Sequence, residues 1–533
     1  MPNSPQKYLL VACCALSLFL LCGNSLRSEP VQFSLNKVIF SGNYAIKDDD
    51  LLPSVQFLLD ADVTFQDLEK AVASVDRYYS SNGYLVSVYL PAQDLTSGQL
   101  VINVSEATVG SILVQNNGED VIGGQRLRRT VAQFNNEGSV LNLNNIQQSI
   151  NILNDLAGVS SDVALQPGPV EKQVDLLVTA KGTPKFTGNF IVDNWGHAST
   201  GQRRFASDFH FNNLLSFGEG FSLKNTITDG STSNEVKVSI PLAYSGSKLQ
   251  LAALNLKYRL IDEFASLDTS GSSGDNSINF TFPVVTSQAL LISGNVKANH
   301  SKSDSYSFGN HTSDQVENTL QAALNISAPN LLFENSNSNF GITVTRGKLD
   351  LRANVSGELD NDTLETHGYF TKVRMNLGHS WKINQDLQAK VSLEGQAANK
   401  NLGGNQSFTL GGAQAVRAYP GSEASGDEGH LVKFELKHLL SNGGILFTFM
   451  DVGRIKVDHK PLPADLEGPN VYSLRGYGIG FERNLGEGVT LSATLAGKIG
   501  DNSGSVEQPD GSRTENDKSN NSTRVWVGLS WYF

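Results

Sequence analysis

From Pro184 to the last residue, helical spacing disappears and apolar side chains fall at every second position. Leu387, Ala389, Val391 and Leu393 alternate with Gln388, Lys390, Ser392 and Glu394, and Val489, Leu491, Ala493 and Leu495 with Thr490, Ser492 and Thr494. At the carboxyl end Val525, Val527, Leu529, Trp531 and Phe533 face one way; Arg524, Trp526, Ser530 and Tyr532 face the other. Period two is the spacing of a strand with unlike faces. A water-soluble sandwich can alternate too, so the connections decide. Sixteen segments read as strands: 185–195, 203–212, 221–228, 235–242, 248–261, 277–283, 288–299, 315–328, 339–350, 367–380, 387–399, 429–440, 445–456, 471–483, 489–500 and 523–533. An even count returns the chain to the rim where it began. The connections Ser301–Asp314, Leu351–Thr366, Lys400–Glu428 and Asp501–Ser522 are long and polar, whereas INQD, SNGG and NLGEG are tight turns. Long loops at one rim and short turns at the other describe a barrel of the bacterial outer membrane, with its loops outside the cell and its turns in the periplasm. The expected fold is β-dominated: a sixteen-stranded transmembrane β-barrel over residues 185–533, preceded by two small α+β domains.

The chain opens with Lys7, the uncharged run Tyr8–Cys22 and the small residues Gly23, Asn24 and Ser25. This pattern predicts a signal peptide over 1–25, too short for a comfortable membrane helix. Cys13, Cys14 and Cys22 all lie inside it, so the mature chain has no disulfide, thiol nucleophile or cysteine-bound metal. No other stretch approaches eighteen uncharged apolar residues, which leaves a barrel open because strands cross membranes by alternation. The net charge of −12 is spread through loops, and without a basic patch carrying interleaved aromatics nucleic acid is not an expected partner.

Residues 31–106 and 107–182 repeat one plan. In the first, FSLNKVIFSG is a strand, Ala45–Leu59 a short helix, and Thr64 caps a helix over Phe65–Ser81 whose Leu68, Val72, Val75 and Tyr79 share a face. LVSVYLP and QLVINVSE follow as strands. In the second, VGSILVQ is a strand, Gln125–Phe134 a helix, and Asn144 caps a helix over Ile146–Leu156 that stops at Gly158. SSDVALQPG and QVDLLVTAK close the unit as strands. Asp48, Asp49 and Asp50 read as a solvated helix start. Small sheets with an open edge accept an extended peptide as an added strand, which gives these domains a binding role without chemistry.

The longest connection contains Phe408–Gly429, FTLGGAQAVRAYPGSEASGDEG, with one arginine. Its Val416-Arg417-Ala418-Tyr419 resembles the VRGY/F signature of the sixth loop in polypeptide-transporting outer-membrane barrels. Phe449-Met450-Asp451-Val452-Gly453 resembles the F-x-D-x-G motif of their thirteenth strand. The amino-terminal units look like POTRA domains. GYLVSVYLPAQDLTSGQLVINVSEATVG, and VDNWGHASTGQRR followed by NNLLSFGEGFSL, are similar to segments of two-partner secretion transporters of the hemolysin and filamentous hemagglutinin type. The resemblance implies a translocator for a large secreted exoprotein, bound unfolded by the POTRA domains and passed through the barrel without ATP. It also implies that the sixth loop folds into the lumen and that its arginine meets the strand-thirteen aspartate. Pairing of Arg417 with Asp451 makes physical sense, because a buried arginine gains charge-assisted, bidentate hydrogen bonds only from a carboxylate. Ala418 departs from the family's glycine, and the short distance from the cleavage point to the first POTRA strand predicts that the plug helix of many relatives is lacking.

The aromatic end at Trp531 and Phe533 resembles the signal read by the outer-membrane barrel assembly machinery; as lipid-facing girdle residues they would equally place the last strand in the membrane. No catalytic residues, cofactor or metal are expected: H-E-x-x-H, P-loop and G-x-S-x-G motifs are absent. Asp360-Asn361-Asp362 lacks the glycine of a calcium loop and reads as a solvated turn. Secretion of a partner exoprotein, with outer-membrane lipid around the barrel, is the leading functional expectation. The alternatives are an assembly or insertion factor of the same superfamily and a passive solute porin.

Overall fold

A computed structural model describes residues 32–533 apart from 60, 118–121, 288, 353–359, 361–363, 462–468 and 509–510. The expected signal peptide with its three cysteines, and Asn361 and Asp362, lie outside the described residues.

Two compact units emerge. In the first, Lys37–Ser41 runs parallel to Gln99–Glu106, which pairs antiparallel with Val86–Tyr89. Helices Asp48–Val55 and Phe65–Ser81 bury Leu51, Val55, Leu68, Val75 and Tyr79. The longer helix starts where the capping pattern requires: the Asp67 carboxylate accepts from Thr64 N at 3.0 Å and Thr64 Oγ1 at 2.7 Å. The first helix is shorter than the sequence suggests, because a 3-10 turn takes over at Gln56–Leu58.

The second unit joins another such module to the barrel. Thr108–Asn117 is parallel to Gln173–Gly182, with Val159–Pro167 antiparallel beside it, so the sheet order repeats that of the first module. Its helices are Gly124–Ala132 and Leu143–Asn154, and their apolar faces, including Leu127, Val131, Ile146 and Leu153, close over Val109, Ile112, Leu176 and Val178. The cap of the second helix is Asn142 rather than Asn144: the Asn142 side chain accepts from Asn144 N at 2.9 Å, and the helix begins at Leu143, three residues earlier than its spacing implied. Arg126 and Arg129 reach the turn after barrel strand Ser231–Pro241, donating to Ala243 O at 3.2 Å and Tyr244 Oη at 2.9 Å.

Sixteen antiparallel strands then close into a barrel. The first, Phe186–Asp193, pairs with the last, Thr523–Tyr532. Lipid-facing and lumen-facing residues alternate around the circuit, so that Leu446, Thr448, Met450 and Val452 of the thirteenth strand, Gly444–Lys456, point out while Phe447, Phe449, Asp451 and Gly453 point in. Ser301–Asp314, expected as a loop, is mostly paired: the seventh strand runs to Ser307, the eighth starts at Asn310, and Ser303 faces Gln315 across the ladder. These rungs rise beyond the apolar band and are polar on both faces, so hydropathy cannot distinguish them from a loop. Thr269–Asn276, the outer half of the sixth strand, was missed for the same reason. Asp360 is not solvated. It is 8% exposed, and its carboxylate accepts from Thr366 N, Thr366 Oγ1 and His367 N at 2.9, 2.6 and 2.9 Å, tying down the end of its loop.

Candidate functional site

The lumen wall around the thirteenth strand is built from bulky residues facing glycines. Phe447, Phe449 and Asp451 lie opposite Gly480, Gly478 and Gly476 of the fourteenth strand, Val471–Gly486. The two phenyl rings lie over the glycine backbone: a Cβ added at Gly478 would sit 2.5 Å from Phe449 Cζ, and one at Gly480 2.0 Å from Phe447 Cζ. Glycine weakens a strand interior unless something approaches closely. Here the approach is by the rings, and its mark in the sequence is YGIGF, with glycine at alternate positions.

Into this wall folds the connection between the eleventh and twelfth strands. Phe408–Leu410 and Ala424–Gly426 pair as a short hairpin inside the barrel. Gly411 and Gly412, at φ of 91° and 99°, turn the chain into the tip, where Gly412 N donates to Tyr419 O at 2.9 Å. Phe408, Leu410, Val416, Ala418, Tyr419 and Ala424 are all buried, packed on Leu431, Phe447, Phe449, Ile455 and Leu474 of the wall. The loop thus carries an apolar core of its own, a feature that its glycine-rich composition concealed.

Arg417 is the polar centre of this core. Its Nε and Nη2 donate to Asp451 Oδ2 and Oδ1 at 2.9 and 2.7 Å, and its backbone N donates to Asp451 Oδ2 at 3.0 Å. Nη1 donates to Glu435 Oε1 at 2.6 Å, and Cζ stands 3.5 Å from the centroid of the Phe449 ring. From the opposite side Trp526 Nε1 donates to Arg417 O at 2.8 Å. Asp451 is 0% exposed and Arg417 7%. A fork with two carboxylates and a ring around it fits guanidinium rather than ammonium. Glu435 and Trp526 were missed by sequence reasoning, since neither sits in a motif; only their inward parity on strands twelve and sixteen marked them.

The three residues of F-x-D-x-G have separate tasks. Phe449 supplies the ring beneath the guanidinium and Asp451 the carboxylate. Gly453 leaves space for Leu410, since a Cβ there would lie 2.7 Å from Leu410 Cδ1 and Cδ2. Ala418 stands in a position where the family signature has glycine. It adopts no positive φ, and its methyl occupies the space left by Gly476, where an added Cβ would lie 2.6 Å away. Val416 and Tyr419 are fully buried at either side, with Lys498 Nζ 5.3 Å from the Tyr419 ring centroid. Trp531 and Phe533 lie elsewhere, on the outer face at the closing seam. Their rings are 5.2 Å apart and meet Phe190 of the first strand at 5.9 and 5.8 Å, while Phe533 N and O bond Gly188 O and N.

Beyond the Arg417 cluster, Glu423 fastens the tip to the loop after the fifteenth strand, accepting from Asn502 Nδ2 at 2.5 Å and Asn516 N at 2.8 Å. Burial pushes this carboxyl up to about 7 from 4.5. A carboxyl raised on folding stabilises the seat fully below about 4.5 and loses that contribution as the pH rises through about 7. In detergent, the unfolding free energy of the wild type should therefore decline relative to that of Glu423→Gln between about pH 5 and 8, by roughly 2 kcal/mol. A wild type that gains on the variant as the pH rises would refute the assignment.

Residues 173–482 match the family model described as haemolysin secretion/activation protein ShlB/FhaC/HecB, and residues 33–107 match the ShlB-type POTRA domain. The heme/hemopexin transporter protein HuxB of Haemophilus influenzae strain 86-028NP is 23% identical over 424 residues, which cover 77% of this chain and 73% of that protein. The outer membrane transporter CdiB of Dickeya dadantii is 23% identical over 418 residues, 76% of this chain and 72% of that protein. The solved structure of CdiB from Escherichia coli shares the fold, with a TM-score of 0.75 at 18% identity over 96% of this chain and 93% of that one. With more than half of its length matched by one family model, the chain belongs to the haemolysin secretion/activation proteins of the ShlB/FhaC/HecB type.

Proposed function

We propose that this outer-membrane barrel exports a large exoprotein, with Arg417, Asp451 and Glu435 holding the lumen loop during the cycle. The observation that carries the reading is the loop itself. Its tip is seated by a short hairpin and one charge-centred cluster rather than by a covalent tie, so a wide lumen is obstructed by an element that docks as a unit. Such a cluster has a defined undocked state, because both charges regain water when the tip leaves. The family consists of transporters, and the barrel lies in the outer membrane with the POTRA domains in the periplasm.

On this reading residues 31–106 and 107–182 form two POTRA-like domains whose sheet edges, such as Val86–Tyr89 and Val159–Pro167, receive the unfolded exoprotein as an added strand. Residues 185–533 form the conduit. Trp531 and Phe533 present the carboxyl strand to the barrel assembly machinery during biogenesis, and afterwards face lipid. The test compares culture supernatants with and without the gene. Loss of one large exoprotein supports export. Loss of several membrane barrels instead means assembly, and reduced small-solute uptake alone means a porin.

A further inference from the structure

We propose that the outer face of strands five to ten carries a binding site for a phosphorylated glycolipid of the outer leaflet. The lipid-facing rows of these strands can be followed across the hydrogen-bond register. One row runs Leu251, Ile278, Ala298, Leu320 and Arg346; the next towards the extracellular rim runs Asn276, His300, Asn318, Lys348 and Tyr369. Apart from Arg346, which ends the first row, the surface changes between the two rows from hydrocarbon to amide, imidazole and cation. It also becomes concave: a groove of about 920 Å³ is lined below by Leu251, Ile278 and Leu320 and above by His300, Arg346 and Lys348.

The position along the barrel fits a headgroup. On the tenth strand the outward Trp381 and Tyr369 are twelve residues apart, roughly 40 Å along the strand and roughly 30 Å along the membrane normal once the tilt is taken into account, close to the separation of the two aromatic girdles of an outer-membrane barrel. Arg346 and Lys348 therefore lie at the extracellular girdle, where acyl chains give way to headgroups. Cations on a lipid face are tolerated there and disfavoured at mid-depth.

The cluster is preorganised. The Arg346 guanidinium and the Lys348 ammonium stand 5.5 and 5.9 Å from the centroid of the same Tyr369 ring, and His300 Nδ1 bonds Asn318 Oδ1 at 2.8 Å. The Tyr369 ring is 64% exposed, Arg346 Nη1 also donates to Thr371 Oγ1 at 3.5 Å, and neither cation makes an ion pair among the described residues. Two unneutralised cations above an apolar groove match an amphiphile that bears phosphate on a sugar and acyl chains beneath it. A free inorganic anion would use the cations but not the groove. The inference depends on the barrel's place in the outer membrane and not on what it exports.

The test uses the full chain in mild detergent and native mass spectrometry. The probes are lipid A carrying its phosphates, the same lipid with the phosphates removed, and inorganic phosphate. Saturable binding of the phosphorylated lipid is expected, weakened about ten- to thirty-fold in Arg346→Ala/Lys348→Ala. The control pair Lys224→Ala/Lys297→Ala, on the lumen face, should bind as the wild type does. Heat-modifiable migration on gels confirms that each variant is a closed barrel. Four results would overturn the proposal: undiminished binding by the Arg346/Lys348 variant, equal weakening in the control pair, equal binding of the phosphate-free lipid, or displacement of the lipid by inorganic phosphate at matched concentration.

Discussion

Replacing Arg417 by alanine is expected to abolish export and to free the loop tip from the wall. The substitution removes four donated hydrogen-bond and ring contacts to Asp451, Glu435 and Phe449, but the larger cost lies in what remains. Asp451 would be left as a fully buried carboxylate beside Glu435, and breaking a buried pair from one side costs about 3–5 kcal/mol. The docked loop relieves that cost by leaving. Arg417→Lys keeps the charge and loses the fork, so it should retain a partial seat and partial export. Two measurements decide the point: exoprotein in the supernatant, and proteolytic cleavage at the loop tip in detergent-solubilised barrels of normal heat-modifiability. Wild-type export by Arg417→Ala would remove the latch from the mechanism.

Much of this arrangement was legible in the chain, for identifiable reasons. Alternation revealed the barrel because lipid and lumen impose opposite demands on neighbouring side chains, and Asp451 has the parity of Phe447 and Phe449, which places all three on the lumen face. The outer rungs of strands six to eight were not legible, because both faces of those rungs meet water and Ser303 or Ser313 obeys no period. Glu435 could not be joined to Arg417 from sequence alone: eighteen residues separate them and only the register of strands twelve and thirteen, with Glu435 facing Phe449, makes them neighbours. Ala418 looked like a defect in the motif. The wall supplies at Gly476 the room that the loop lacks, so the glycine requirement has been met on the facing strand.

The same exchange of room between loop and wall makes Gly453 the second critical position. A Cβ there would lie within 2.7 Å of both Leu410 methyl carbons, and Leu410 is fully buried in the lumen hairpin. Gly453→Val should therefore expel the hairpin. Overpacking of a filled core costs about 1–3 kcal/mol, and the alternative to paying it is loss of the Phe408–Leu410 strand from its seat. Leu410→Ala alone should weaken the seat by about 2–5 kcal/mol through the cavity it leaves. Combined, the two changes compensate, because valine at 453 grows into the space that leucine vacates. Unfolding of the loop monitored by tip cleavage, across the two single variants and the double, measures this directly. The double variant should hold its loop better than Gly453→Val alone, with a coupling on the order of 1 kcal/mol or more in favour of the pair. Simple additivity would mean that Gly453 serves the strand's backbone rather than the loop. Gly453 does not adopt a positive φ, so a backbone requirement of that kind has no conformational basis, and steric room for Leu410 remains the reason for the glycine.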